Sequence, residues 1–167
     1  MKRIFAPWRM KYINSHSEGC VFCELQKEAD GTLRQAQGEA GNLIVARRDR
    51  AFVILNRFPY TSGHIMVVAN AHQPSLEDLD EPTRAEMMEL VTQCIRVLRK
   101  VYRPQGFNVG ANIGEVAGAG VAGHVHLHIV PRWGGDANFM STVGETRVLP
   151  EDLEETYRRV RVSWEKE

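Results

Sequence analysis

Cysteine is scarce in this chain. Three cysteines in 167 residues are an odd count, which argues against a disulfide scaffold in a chain with no visible export signal. An excess of either charge is missing too: 21 Lys and Arg stand against 21 Asp and Glu. Without a basic excess or a long like-charge block, binding along a nucleic acid polymer is not expected; a nucleotide-sized ligand is compatible. No apolar run approaches the ~18 residues of a membrane span. None of signal-peptide length follows Met1-Lys2-Arg3, so a cytoplasmic protein without a membrane partner is expected. No internal repeat is visible. What the chain does have is apolar patterning: at 43% apolar residues and single-domain length, it can bury a core.

That patterning divides the chain. Residues Phe5 to Ile13 are aromatic and basic, with Trp8 and Tyr12 read as packing residues. Cys20-Val21-Phe22-Cys23 leads into a short polar segment, and Ala29 to Gly41, with three glycines, reads as a mobile loop. Asn42 to Arg48 and Ala51 to Asn56 are apolar runs joined by Asp49-Arg50, a hairpin pattern. The turn-rich stretch Arg57 to Gly63 precedes a third strand, His64 to Ala69. Asp80 to Tyr102 has the clearest helical stripe: Met87, Val91, Cys94, Leu98 and Val101 recur at spacings of four and three. Asp80 is the expected N-cap, Pro82 fits the first turn, and Pro104 lies just past the end. Cys94, on the stripe, reads as a buried thiol acting as a small apolar residue.

Further along, Gly106 to Ile113 is a fourth strand, Gly114 to Gly123 a glycine-rich loop, and His124 to Arg132 a fifth strand. Trp133 to Asp136 is a turn. Pro150 to Trp164 reads as a helix with Leu153, Tyr157, Val160 and Trp164 on one face and Pro150 in its first turn. The expected fold class is α+β: a five-stranded antiparallel sheet with one long helix between strands 3 and 4, and a C-terminal helix. One domain spanning 1–167 is expected, with an N-terminal extension over 1–41, a core over 42–149 and the last helix over 150–167.

The fifth strand carries the chemistry. His124, His126 and His128 occupy alternate positions, with Val125, Leu127 and Ile129 between them. Side chains alternate with period two along a strand, so an imidazole row faces a cleft while an apolar row faces a core. Half of the six histidines of the chain fall here in strict alternation, which a half-buried strand with an arbitrary polar face does not require. A surface metal-binding tract would lack the apolar alternation. A neutral imidazole is a good nucleophile toward phosphorus near neutral pH. Its second ring nitrogen must then be held, by a backbone carbonyl or by a carboxylate. The glycines of the preceding loop let backbone N–H groups approach phosphate oxygens.

The pattern His124-x-His126-x-His128 followed by two apolar residues resembles the histidine triad family of nucleotide hydrolases and transferases, and the likeness runs from about Phe5 to about Leu149. It implies that His126 attacks an α-phosphorus to form a nucleotidyl-histidine, with His128 on phosphate and bridging oxygen and His64 beside the triad. It also implies that Asn56 contacts ribose and that Asn112 approaches the phosphates. Many relatives carry a hydroxyl residue just before the triad strand; here the loop reads Gly118-Ala119-Gly120-Val121-Ala122-Gly123. Backbone amides near Gly118, Ala119 and Gly120 are therefore the expected phosphate donors. Homodimers are the family expectation.

Cys20-x-x-Cys23 is by itself a zinc or redox signal. His72 and His124 could complete a Cys₂His₂ set, and the resemblance implies a structural zinc there, since four protein ligands leave no open position. The segments Ala6 to Ile13, Gly106 to Gly110 and Pro131 to Phe139 look like those of the bacterial branch that splits diadenosine tetraphosphate with inorganic phosphate into ATP and ADP. The alternatives are hydrolysis of the same dinucleotides, cleavage of a nucleoside phosphoramidate or adenylyl sulfate, or nucleotide or zinc binding without turnover.

Overall fold

The computed structural model describes residues 19–27, 43–136 and 150–167. The aromatic segment Phe5 to Ile13, the glycine-rich stretch Ala29 to Gly41 and the Asn138-Phe139 flank lie outside the described residues. The described elements, in order, are helix α1 (Val21–Lys27), strands β1 (Ile44–Arg47), β2 (Ala51–Leu55) and β3 (Ile65–Ala69), helix α2 (Glu81–Tyr102), strand β4 (Gly106–Gly110), a 3₁₀ turn (Glu115–Ala117), strand β5 (His126–Arg132) and helix α3 (Leu153–Trp164). The sheet has five strands in the order β1-β2-β3-β5-β4, and every pairing is antiparallel. The expected architecture is observed. No helix among the described residues is long and apolar enough to cross a membrane.

Register decides what shares a face. Phe52 pairs with Val68, and Val68 with His126; Ile54 pairs with Met66, and Met66 with His128. Directly opposed residues point to the same side, so the histidines rise from a floor of Phe52, Ile54, Met66 and Val68. The other side carries Val53, Val67 and Leu127 in one row and Leu55, Ile65 and Ile129 in the next. Every residue of β2 and β3 is buried, so these central strands are covered on both faces.

Helix α2 lies against β2, β3 and β5 and buries Met87, Leu90, Val91, Cys94, Val97 and Leu98. Each large aliphatic side chain so buried contributes about 1.5–3 kcal/mol before entropic costs. Asp80 caps the helix by accepting a hydrogen bond from the Thr83 amide at 2.9 Å, and Pro82 sits in the first turn. Arg103 ends it in the left-handed region, φ 48°, and Pro104 prevents continuation.

Helix α3 starts later than its sequence predicts. Asp152, not a residue before Pro150, is the N-cap: its carboxylate accepts from the Glu155 amide at 2.8 Å. Pro150 therefore lies outside the first turn, because an aspartate two residues on offers a better acceptor for the free amides. The helix then covers the outer edge of β1. The Tyr157 hydroxyl donates to the Ile44 carbonyl at 3.1 Å, and Arg161 donates to the Val45 carbonyl. These bonds occupy carbonyls that an open edge strand would present to another chain.

Strand β5 also starts later, at His126 rather than His124. The Val125 amide donates to the Gln73 carbonyl at 2.7 Å and the His124 amide to the Val121 carbonyl at 3.3 Å. Residues 124 and 125 thus pair with segments outside the ladder. Strand β4 ends at Gly110, not Ile113, which puts Asn112 on the following loop.

Candidate active site and metal centre

Two imidazole clusters meet at the start of β5. The first is His64, His126 and His128. The ring centroids of His126 and His128 are 4.8 Å apart, and those of His64 and His128 are 5.1 Å apart. His64 precedes β3, and its opposition to β5 is fixed by the β3–β5 register.

Hydrogen bonds determine which nitrogen of each ring holds the proton. Nδ1 of His126 lies 2.8 Å from the His124 carbonyl oxygen. A carbonyl only accepts, so Nδ1 carries the hydrogen and Nε2 keeps its lone pair. This identifies the partner left open between a carbonyl and a carboxylate. The Tyr60 amide donates to Nδ1 of His64 at 3.1 Å. Neutral His64 therefore carries its hydrogen on Nε2, which lies 3.0 Å from Nδ1 of His128 and donates to it. Neutral His128 is left with a hydrogen on Nε2, free to donate to a ligand.

Burial keeps the three rings neutral. Desolvation, with the nearby His128 and His126 rings, holds His64 down to about 3. Desolvation and His126 hold His128 down to about 4. His126 is also lowered by burial, against the opposing pull of its bond to the His124 carbonyl. Near neutral pH the cluster thus offers one imidazole lone pair and one N–H donor.

The second cluster is Cys20, Cys23, His72 and His124, whose ligand atoms all lie within 4.8 Å of one another. Cys20 Sγ is 3.3 Å from His124 Nδ1, Cys23 Sγ is 3.3 Å from His72 Nδ1 and 3.7 Å from His124 Nδ1, and the two Nδ1 atoms are 3.3 Å apart. A tetrahedron with bonds of about 2.3 Å to sulfur and about 2.0 Å to nitrogen has edges of about 3.3–3.8 Å. The four residues could hold a metal ion with that geometry. Nε2 of His124 donates to the Ala69 carbonyl at 2.8 Å, which turns the Nδ1 lone pair toward the cluster.

Of the remaining predicted residues, Asn56 meets the first cluster at His64. The Asn56 side-chain amide is 3.4 Å from both ring nitrogens of His64, and its carbonyl accepts from the Phe58 amide at 2.9 Å. Asn112 donates to the Gly118 carbonyl at 3.4 Å, so it braces the glycine-rich loop. Within that loop the Gly118 amide donates to Glu115 at 2.9 Å and the Ala119 amide to Gly114 at 3.4 Å. Of the three predicted donors, only the Gly120 amide meets no internal acceptor among the described residues.

Two neighbours of the site are absent from the sequence reading. Phe22, between the two cysteines, packs its ring 5.4 Å from His124 and 5.1 Å from His126. Tyr60 lies with its ring 4.7 Å from His64 and 6.3 Å from His128. Their signal was slight: one apolar residue inside a C-x-x-C pair, and one aromatic after Pro59 in a turn.

Comparison with known proteins agrees with this fold. The HIT domain profile matches residues 37–135. The chain belongs to the HIT domain family. A relative from Mycobacterium tuberculosis, named AP-4-A phosphorylase, is 39% identical, over 98% of this chain and 85% of that one. An uncharacterised HIT-like protein of Saccharolobus solfataricus is 30% identical, over 72% of this chain and 79% of that one. Among solved structures, a Zn-bound histidine triad family protein from Mycobacterium smegmatis superposes with a TM-score of 0.68 at 28% identity, covering 90% of this chain and 96% of that one.

Proposed function

We propose that this HIT protein is a nucleotidyl-transferring enzyme that splits diadenosine tetraphosphate with inorganic phosphate into ATP and ADP. The observation that carries the reading is the bond from His126 Nδ1 to the His124 carbonyl, which leaves Nε2 as a buried, neutral nucleophile. Nε2 attacks the α-phosphorus; a P–N bond forms while the P–O bond to the neighbouring phosphate breaks, and ATP leaves as an anion. The Nε2–H of His128 hydrogen-bonds the departing oxygen. An oxygen of inorganic phosphate then attacks the same phosphorus, the P–N bond breaks, ADP leaves, and His126 regains its lone pair. Asn56 would contact the ribose, and the Gly120 amide, within the loop that Asn112 braces, would contact a phosphate. The AP-4-A phosphorylase relative at 39% identity supports phosphate over water as acceptor.

Ion-exchange analysis of products with and without phosphate tests this. Phosphate is expected to raise the rate and to change the products from AMP plus ATP to ADP plus ATP. AMP plus ATP at an unchanged rate in saturating phosphate would make the protein a hydrolase.

The ion suited to the second cluster is zinc, from two cysteine and two histidine side chains whose ligand atoms lie within 4.8 Å of one another. It would be structural, tying α1 to the start of β5. Elemental analysis of protein purified without chelator is expected to give about one zinc per chain, the number one Cys₂His₂ site holds, and Cys20→Ser to remove most of it. A homodimer is also proposed: β4 is an outer strand that exposes Val109, with Ile113 and Met88 exposed as well. Size-exclusion chromatography with light scattering measures it, and a monomer at working concentration contradicts it.

A further inference from the structure

Strand β4 has a glycine where nothing inside the protein asks for one. Gly110 pairs directly with His128, so a side chain at 110 would rise on the histidine face beside that ring. The β4–β5 register runs without a shift from Gly106 to Gly110, so no bulge calls for glycine. Neither residue has a positive φ. A Cβ added at Gly110 or at Gly106 meets no atom within 4 Å, so no neighbour crowds it out. A strand glycine without a bulge, a bend or a crowding neighbour marks a place where something else approaches the backbone.

The same face leads to a cation. Asn108 pairs with Val130 and Gly106 with Arg132, so His128, Asn108 and Arg132 share the side from which the histidines project. With a rise of about 3.3 Å per residue, Arg132 lies about 13 Å along β5 from His128. Its guanidinium donates to Asn108 Oδ1 at 2.6 Å and to Asp136 at 2.5 and 2.8 Å. Those bonds use three of its five N–H donors and hold the planar group in place. A single phosphate on His126 cannot reach that far, whereas a chain of several can.

We propose that the open strip over Gly110, ending at Asn108 and Arg132, is a subsite for the distal phosphates of the leaving nucleotide. It rests on the phosphate-transfer reading above and adds a selection rule: long polyphosphate leaving groups lie along β4, and short ones do not touch it. Asp136 moderates the charge of Arg132, which lets the product nucleotide depart.

The test compares two substrates on the full chain: diadenosine tetraphosphate and adenosine 5′-phosphoramidate, whose leaving group carries no phosphate. Gly110→Val fills the strip from a position where an added Cβ meets no atom within 4 Å. It is expected to lower the ratio of kcat/KM for the dinucleotide to that for the phosphoramidate by about tenfold or more, the scale of misfit in a shaped pocket. Arg132→Gln should lower the same ratio mainly through KM, with Arg132→Lys recovering part of it. An unchanged ratio in both variants overturns the proposal. So does a changed oligomeric state of Gly110→Val on size exclusion, since the glycine would then serve a contact between copies. If wild type cleaves the phosphoramidate and not the dinucleotide, the functional reading fails on its own. The strip is then judged by ATP and AMP as competitors of that turnover: wild type should favour ATP, Gly110→Val should lose that preference, and a preference kept by the variant overturns it.

Discussion

His124 and His126 are two residues apart, yet their rings are held in opposite senses. His124 gives its Nε2–H to the Ala69 carbonyl and turns Nδ1 toward two thiols and another imidazole. His126 gives its Nδ1–H to the His124 carbonyl and keeps the lone pair on Nε2. The difference lies in which carbonyl each ring finds, not in residue type. It teaches that identical side chains two residues apart take different ring orientations and expose different nitrogens through the main chain around them. The two clusters are also joined, because the carbonyl that orients His126 belongs to His124, a member of the Cys/His group. Phe22, from the helix carrying Cys23, packs on both rings.

The sharpest way to break the comparison is to exchange His126, the proposed nucleophile. His126→Asn is expected to lower turnover by roughly 10⁴-fold or more, as for other covalent catalysts, with nucleotide binding retained in calorimetry. Near-normal turnover would remove His126 from its role. His128→Gln keeps a hydrogen-bond donor but displaces it; a loss in kcat of about 10²–10³-fold is expected, the size seen when one oxyanion donor is lost. A loss confined to KM would assign His128 to binding alone. His124→Asn separates ring from carbonyl: it removes the Nδ1 ligand and keeps the backbone oxygen. Metal content should fall sharply while turnover drops by less than about 100-fold, the scale of a misplacement beyond the reacting atoms. Turnover as low as that of His126→Asn would make the metal centre indispensable to the chemistry.

The smallest expected effect is on stability. His64 and His128 are held at about 3 and about 4 in the folded protein, first by burial and then by neighbouring imidazoles, against about 6.5 when unfolded. The unfolded chain therefore binds more protons between those values. The stability due to the two neutral rings is complete above about pH 6.5 and is lost as pH falls toward 4 and 3, with a slope of at most about 1.4 kcal/mol per pH unit for each ring. Urea midpoints between pH 8 and 4 measure this. His64→Asn should flatten the acid slope, and an unchanged slope would contradict the account.

Much of the fold was legible because its signals are local. The stripe from Met87 to Leu98, the Asp80 cap and the alternation around His126 each lie within a few residues. The early end of β4 and the late start of β5 were not legible. They depend on Val125 meeting Gln73 and on Asn112 meeting Gly118 across the loop. Helix α1 has only seven residues, too short for a periodic pattern, although it is what places Cys20 and Cys23 together. Spacing alone pairs those cysteines; bringing His72 and His124 to them is a matter of tertiary structure that only family likeness supplied. The tautomers were beyond the sequence altogether, since each rests on a backbone group of another residue: Ala69, His124 or Tyr60.

The most direct test of the central claim is to catch the covalent intermediate. Protein mixed with diadenosine tetraphosphate without phosphate, quenched in base and measured as intact mass, should carry one added adenylyl group. Peptide mapping should place it on His126, and a chase with phosphate should release it as ADP. An adduct on another residue, or full turnover with no adduct at any time, would contradict the account.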